Sequence, residues 1–196
     1  MRRQHHRFRT SARRLSVLLM GLVIASANAV SGWQASIIVT SDSTDALLLI
    51  GQHPEATAGL DSDLEEFERP PLPPSSSFDV RFVGEMMEGG SLVDLRPPSV
   101  TRTDTLLIRL QPAQDSPIVL SWEPDSLARY TAVAALRDAF GGQLGIDVDM
   151  RKEGEFTLSD RRIDHLTVVL RTSAVGDTNT VSQIRAWAQV KLGNQQ

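Results

Sequence analysis

The sequence predicts an all-β protein in which two antiparallel sheets pack as a sandwich, with one long proline-rich loop crossing between them. Three observations carry that prediction. Apolar residues recur at every second position in seven or more short runs, the period of a half-buried strand. Turn residues separate those runs at the spacing of a sandwich. Between the apolar run DALLLI and the alternating run FDVRF lies GQHPEATAGLDSDLEEFERPPLPPSSS, an acidic stretch whose prolines suit neither helix nor ordinary sheet.

The N-terminus reads as a targeting segment. Residues 1–14 carry six arginines, two histidines and no acid. Leu15 to Ala25 is apolar apart from Ser16, and Ala25-Ser26-Ala27 and Ala27-Asn28-Ala29 supply small residues in the A-x-A pattern. Basic, apolar and small regions in that order make residues 1–29 a secretory signal peptide, with cleavage expected after Ala27 or Ala29. The apolar run is shorter than the roughly 20 residues that span a bilayer, so no transmembrane segment is expected after cleavage. Residues 30–196 are then expected to form one domain, periplasmic or extracellular.

Removing residues 1–29 takes six arginines and no acid from a chain with 20 basic and 24 acidic residues, leaving 14 against 24, a formal charge of −10. That balance argues against nucleic acid, which requires a basic footprint. It favours solubility and permits cation binding. The chain has no cysteine, so it is disulfide-free and has no thiol chemistry.

The strands follow in order. Trp33, Ala35, Ile37 and Val39 alternate with Gln34 and Ser36, and Ala46 to Ile50 is apolar on both faces, as a central strand would be. Phe78, Val80 and Phe82 alternate with Asp79 and Arg81. Leu106, Ile108 and Leu110 form another inner face, as do Ile118, Leu120 and Trp122. SLARYTAVAALRDAF suggests a helical turn near Ser126 and then a strand from Ala132 to Asp138. Gly141-Gly142 turns that strand toward a second one, in which Leu144, Ile146, Val148 and Met150 face inward. Leu166, Val168 and Leu170 complete the series. Within residues 181–192, Ile184, Ala186, Ala188, Val190 and Leu192 alternate as in a strand. Val181, Ile184, Trp187, Ala188 and Leu192 would equally share one helix face, and the unbroken alternation favours strand. An immunoglobulin-like sandwich, or one similar to it, is the expected architecture.

Residues 52–77 are long for a loop. Pro70-Pro71-Leu72-Pro73-Pro74 favours polyproline II. A stiff strap carrying the chain from one sheet to the other is the better reading, ahead of a docking ligand for an aromatic groove. Asp61, Asp63 and Glu66, beside Glu65, are the metal candidates: alternating acids in a loop can converge on a hard cation such as calcium. Their spacing is not that of an EF-hand, and a solvated acidic loop is the plainer alternative. Asp147 and Asp149, two residues apart on a strand, share a face about 6.6 Å apart at the backbone. Paired carboxylates can hydrolyse glycosides, but such residues are more often the wet side of a strand.

Other chemistry has little support. After residue 29 the histidines are His53 and His165, too few for a cysteine–histidine zinc site. There is no G-x-S-x-G elbow and no phosphate-binding loop. Trp33 and Trp122 lie in phase with apolar neighbours and are expected in the core. Trp187 would be the exposed aromatic if its segment is a strand.

Gly51-x-x-Pro54-x-Ala56-Thr57-x-Gly59-x-Asp61, Pro70-Pro71-x-Pro73-Pro74, Phe78-Asp79-Val80-Arg81-Phe82 and Asp149-Met150-Arg151 together resemble a known kind of module. Over roughly residues 33 to 170 the chain is similar to uncharacterised β-sandwich modules of secreted bacterial proteins, often those carrying a type IX secretion sorting domain. The resemblance implies an extracytoplasmic structural or binding module, and it adds no catalytic or cofactor-binding residue. The expected function is therefore a non-catalytic exported β-sandwich with a protein or glycan partner at the cell envelope. The alternative is an extracytoplasmic hydrolase, carbohydrate-active or otherwise, that uses surface carboxylates.

Overall fold

The computed structural model describes residues 32–85, 87–113 and 116–173. The predicted signal peptide and the segment 181–192 lie outside the described residues. In chain order the elements are β1 (Trp33–Ser41), β2 (Thr44–Gln52), a 3-10 turn (Ser62–Leu64), β3 (Asp79–Gly84), β4 (Met87–Ser91), β5 (Val93–Arg96), β6 (Asp104–Gln111), β7 (Ile118–Trp122), α1 (Pro124–Tyr130), β8 (Thr131–Asp138), β9 (Asp147–Asp149), β10 (Glu155–Leu158) and β11 (His165–Thr172). They build a five-stranded sheet in the order β10-β7-β1-β2-β5 and a six-stranded sheet in the order β4-β3-β6-β11-β8-β9. The all-β sandwich that the sequence predicts is the observed architecture, with the short helix α1 where a helical turn is expected.

The alternation places the core. Ile37, Val39, Leu48, Ile50 and Leu120 from one sheet meet Phe82, Leu106, Ile108, Leu136 and Leu166 from the other. Trp33 and Trp122 lie in this core, as expected, and each satisfies its indole N–H. Trp33 donates to the Thr172 hydroxyl at 3.1 Å and stacks on Tyr130 with centroids 5.9 Å apart, and Trp122 donates to the Met150 carbonyl at 2.8 Å.

Two features depart from the sequence reading. β5 runs parallel to β2, pairing Leu49 with Val93 and Gly51 with Leu95, within sheets that are otherwise antiparallel in the described ladders. Strands β4, β5 and β10 were not expected, because MEGGS, VDLR and EFTL are too short or too polar to show a period of two. Gly51 explains one tight approach: a Cβ built there would lie 2.0 Å from the Trp33 carbonyl oxygen, so only glycine lets β2 lie so close to β1.

The chain passes from the five-stranded sheet to the six-stranded one through residues 53–78, and its own groups fasten that passage. Glu66 accepts the N–H of Leu95 on edge strand β5 at 2.5 Å, and the Arg69 N–H donates to the Gly90 carbonyl on edge strand β4 at 2.9 Å. Arg81 donates to the Pro70 carbonyl at 2.7 Å. Gln111 Nε2 donates to the carbonyls of Pro74 and Ser77 at 2.9 and 2.7 Å. Residues 53–78 therefore close one side of the sandwich and occupy backbone groups that two edge strands would otherwise present to solvent.

Candidate functional site

Asp61, Asp63 and Glu66 take separate parts. Asp61 accepts the Thr57 N–H at 2.6 Å and the Thr57 hydroxyl at 2.9 Å, which folds the loop on itself. Glu66 is buried, and its second oxygen accepts the Asp61 N–H at 3.0 Å. Burial raises the Glu66 pKa, as do the charges of Asp94 and Asp61, against the lowering effect of the two backbone N–H donors. Asp63 is exposed on the 3-10 turn. Among the described residues no group of three His, Asp or Glu side chains stands close enough to share an ion, so the structure does not bring the three together. Adding calcium at about 1 mM, the weak extracellular range, is expected to leave the melting temperature of the wild type and of Asp61→Ala/Asp63→Ala equally unmoved. A rise confined to the wild type in differential scanning fluorimetry would establish a cation site in this loop.

Asp147 and Asp149 share the outer face of β9, opposite Arg137 and Ala135 of β8. Asp147 is paired with Arg137 at 2.8 Å. Asp149 meets Lys152 at 2.8 Å and accepts the Arg151 N–H at 3.1 Å, and the Lys152 bond leads the effects that hold its pKa below the usual aspartate range. Both belong to solvated ion pairs, which matches the wet side of a strand and leaves Asp149 ionised rather than poised to give up a proton.

A shallow cleft of about 20 Å³, open to solvent, lies at one end of the sandwich, with Leu110, Ile118, Leu158 and Ile163 in its lining and Asp160 and Asp164 among its charged groups. The Arg162 side chain, at 2.6 Å, leads the effects that lower the Asp160 pKa to about 2, and the His165 hydrogen bond lowers that of Asp164. Neither acid holds a proton at neutral pH.

The eight-residue loop 139–146 joins β8 to antiparallel β9, the turn that Gly141-Gly142 predicts, but its organisation around Asp138 was not read from the sequence. Asp138 is fully buried, and its two oxygens accept the N–H groups of Phe140 at 2.9 Å, Gly142 at 3.1 Å, Leu144 at 2.9 Å and Ile146 at 3.4 Å. Burial alone would raise the Asp138 pKa, but the donors Leu144, Phe140, Gly142 and Ile146 together hold it below the ordinary value. Gly141 and Gly142 adopt φ of 72° and 95°, which lets the loop wrap around that carboxylate. The result overturns one expectation. Ile146, Val148 and Met150 face inward, but Leu144 is 55% exposed and Phe140 is 64% exposed. The carboxylate captures the N–H groups that a longer β8–β9 ladder would have needed. An acid directly ahead of A-F-G-G-Q-L-G is the signal that would have revealed it.

The sign of the pH effect follows. A lowered native pKa contributes stability that is present above the unfolded value, near 3.8, and is lost as pH falls through the native value. Hydrogen exchange at Phe140, Gly142, Leu144 and Ile146 is therefore expected to be slow near neutrality and to lose protection below about pH 4. Asp138→Ala should lose that protection at every pH.

No family model, curated protein or solved structure matches the chain.

Proposed function

We propose that the protein is an exported, non-catalytic β-sandwich that makes a contact at or beyond the bacterial cell envelope. The observation that carries this reading is the loop 139–146. Two large apolar side chains, Phe140 and Leu144, are held out to solvent by a fixed backbone rather than a loose one. Exposed apolar groups on an ordered loop suit binding, because little conformational entropy is lost when a partner covers them. The basic and apolar residues 1–29 support export, and the predicted charge of −10 after their removal supports a solvated surface. Asp147 and Asp149 sit in ion pairs with Arg137 and Lys152 on the solvated face of β9, the arrangement of surface charges rather than of two carboxylates aimed at one substrate.

Co-sedimentation of the purified protein with isolated envelope fragments and with peptidoglycan sacculi tests the reading. The wild type is expected to pellet with one of them, and Phe140→Ser/Leu144→Ser to bind at least about tenfold less, corresponding to about 1.4 kcal/mol, at an unchanged melting temperature. A wild type that pellets with neither, or a variant that binds equally well, overturns it. Turnover of a glycoside panel that is lost in Asp147→Asn/Asp149→Asn would instead establish the hydrolase.

A further inference from the structure

Among the described residues four large apolar side chains are exposed: Phe67, Val100, Phe140 and Leu144. Phe67 stands between Glu66 and Glu68, and Val100 stands two residues from Arg102. Phe140 and Leu144 share the loop 139–146, which contains no Asp, Glu, Lys or Arg. Exposed charge returns only at its foot, as the Arg137–Asp147 pair. A Cβ built on Gly141 or on Gly145 would meet nothing within 4 Å, so the loop stands clear of its surroundings at both positions. Its backbone donors are already engaged. The Asp138 carboxylate takes the N–H groups of Phe140, Gly142, Leu144 and Ile146. The Asp138 carbonyl takes that of Gly141 at 3.0 Å, and the Gly142 carbonyl takes that of Gly145 at 3.1 Å. Six of the eight N–H groups in the loop therefore have a partner inside it or at its base. Phe140 and Leu144 bind the two oxygens of one carboxylate, so their side chains leave the backbone close together.

Resting on the reading that this loop makes the protein's contact, we propose that what it enters is a phospholipid bilayer, with Phe140 and Leu144 at the boundary between head groups and acyl chains. Lipid fits better than a protein groove for three reasons. First, hydrocarbon offers no acceptor, so a backbone that enters it must satisfy its N–H groups internally, whereas a protein partner can pair with those left free. Second, charge is costly at that depth, and residues 139–146 carry none. Phe67, with an acid on either side, fails that requirement. Third, the patch is two side chains. That is short of the roughly 800 Å² per partner of a stable protein interface. A bilayer sets no such minimum, and a small apolar area gives it a weak, reversible hold. The formal net charge of the chain is −4, so a zwitterionic surface suits it better than an anionic one.

The chain has no cysteine, and Gln143 is exposed, so a single thiol there reports on the loop alone. Gln143→Cys in the full chain is labelled with an environment-sensitive fluorophore and titrated with phosphatidylcholine vesicles. Its emission is expected to move to the blue, and a nitroxide high on the acyl chains to quench it more than one near the bilayer centre. Phe140→Ser/Leu144→Ser in the same labelled chain should need at least about tenfold more lipid for the same shift. Residues 1–29 are the same in both, so their own affinity for lipid enters both titrations equally. No shift with vesicles, or an equal shift in the variant, overturns the proposal. If the wild type then still pellets with envelope fragments and the variant does not, the loop binds a protein or a glycan, and the contact stands without the bilayer. If neither vesicles nor envelope fragments hold the protein through this loop, both readings fall.

Discussion

Asp79→Ala is expected to cost about 3–5 kcal/mol of unfolding free energy, read as a lower denaturant midpoint at constant slope. The reason is the burial of its partner. Arg81 and Asp79 have side chains only 3% exposed, and they meet through two bonds of 2.6 Å in a bidentate fork. Arg81 spends its remaining reach on the carbonyls of Pro70 and Gly89, at 2.7 and 2.6 Å. Removing the carboxylate leaves a guanidinium that can neither lose its charge nor turn to water without lifting residues 53–78 off the sheet. The double replacement Asp79→Leu/Arg81→Met should be milder than the single one, because it leaves no unpaired charge buried. A double variant less stable than Asp79→Ala would show that the carbonyl contacts, rather than the ion pair, hold that passage in place.

Val148→Asp is expected to cost about 3 kcal/mol or more, with a melting transition that falls sharply or is no longer cooperative. Val148 lies on β9 opposite Leu136, in the core, where a new carboxylate would be buried among apolar side chains. Asp147→Ser, one residue away on the solvated face, should change stability by about 0.5 kcal/mol or less, since it removes only a surface pair. If the two substitutions cost the same, the assignment of faces on β9 is wrong.

Some of this was legible in the sequence and some was not, for identifiable reasons. The runs around Trp33, Leu106, Ile118 and Leu166 showed their inner faces because each is long enough for a period of two to repeat. Asp79 and Arg81 also followed that period, on the polar side of FDVRF, and from alternation alone they read as solvated. They are buried because residues 53–78 lie over them, and alternation along one strand cannot report what lies above it. Leu144 was assigned inward for the converse reason: its phase is right, but the Asp138 carboxylate holds its N–H in a loop. The acids of residues 61–66 were singled out as a cluster, whereas the structure uses Asp61 and Glu66 as hydrogen-bond acceptors that shape the chain. A carboxylate that accepts backbone N–H groups and one that awaits a cation are written with the same letters.

The parallel pairing of β2 with β5 also bears on how the chain acquires its shape. β5 returns to the sheet of β2 only after β3 and β4 have been placed in the other one, and β1 must find β7 some eighty residues further along, with Val39 opposite Leu120. Most of the ordering entropy is then spent before the distant partners meet. Refolding from denaturant should belong to the slow, high-contact-order class, in milliseconds to seconds rather than microseconds. During that interval the apolar stretch Leu47 to Ile50 stands open to other chains, so dilution rather than temperature should govern the yield of refolded protein.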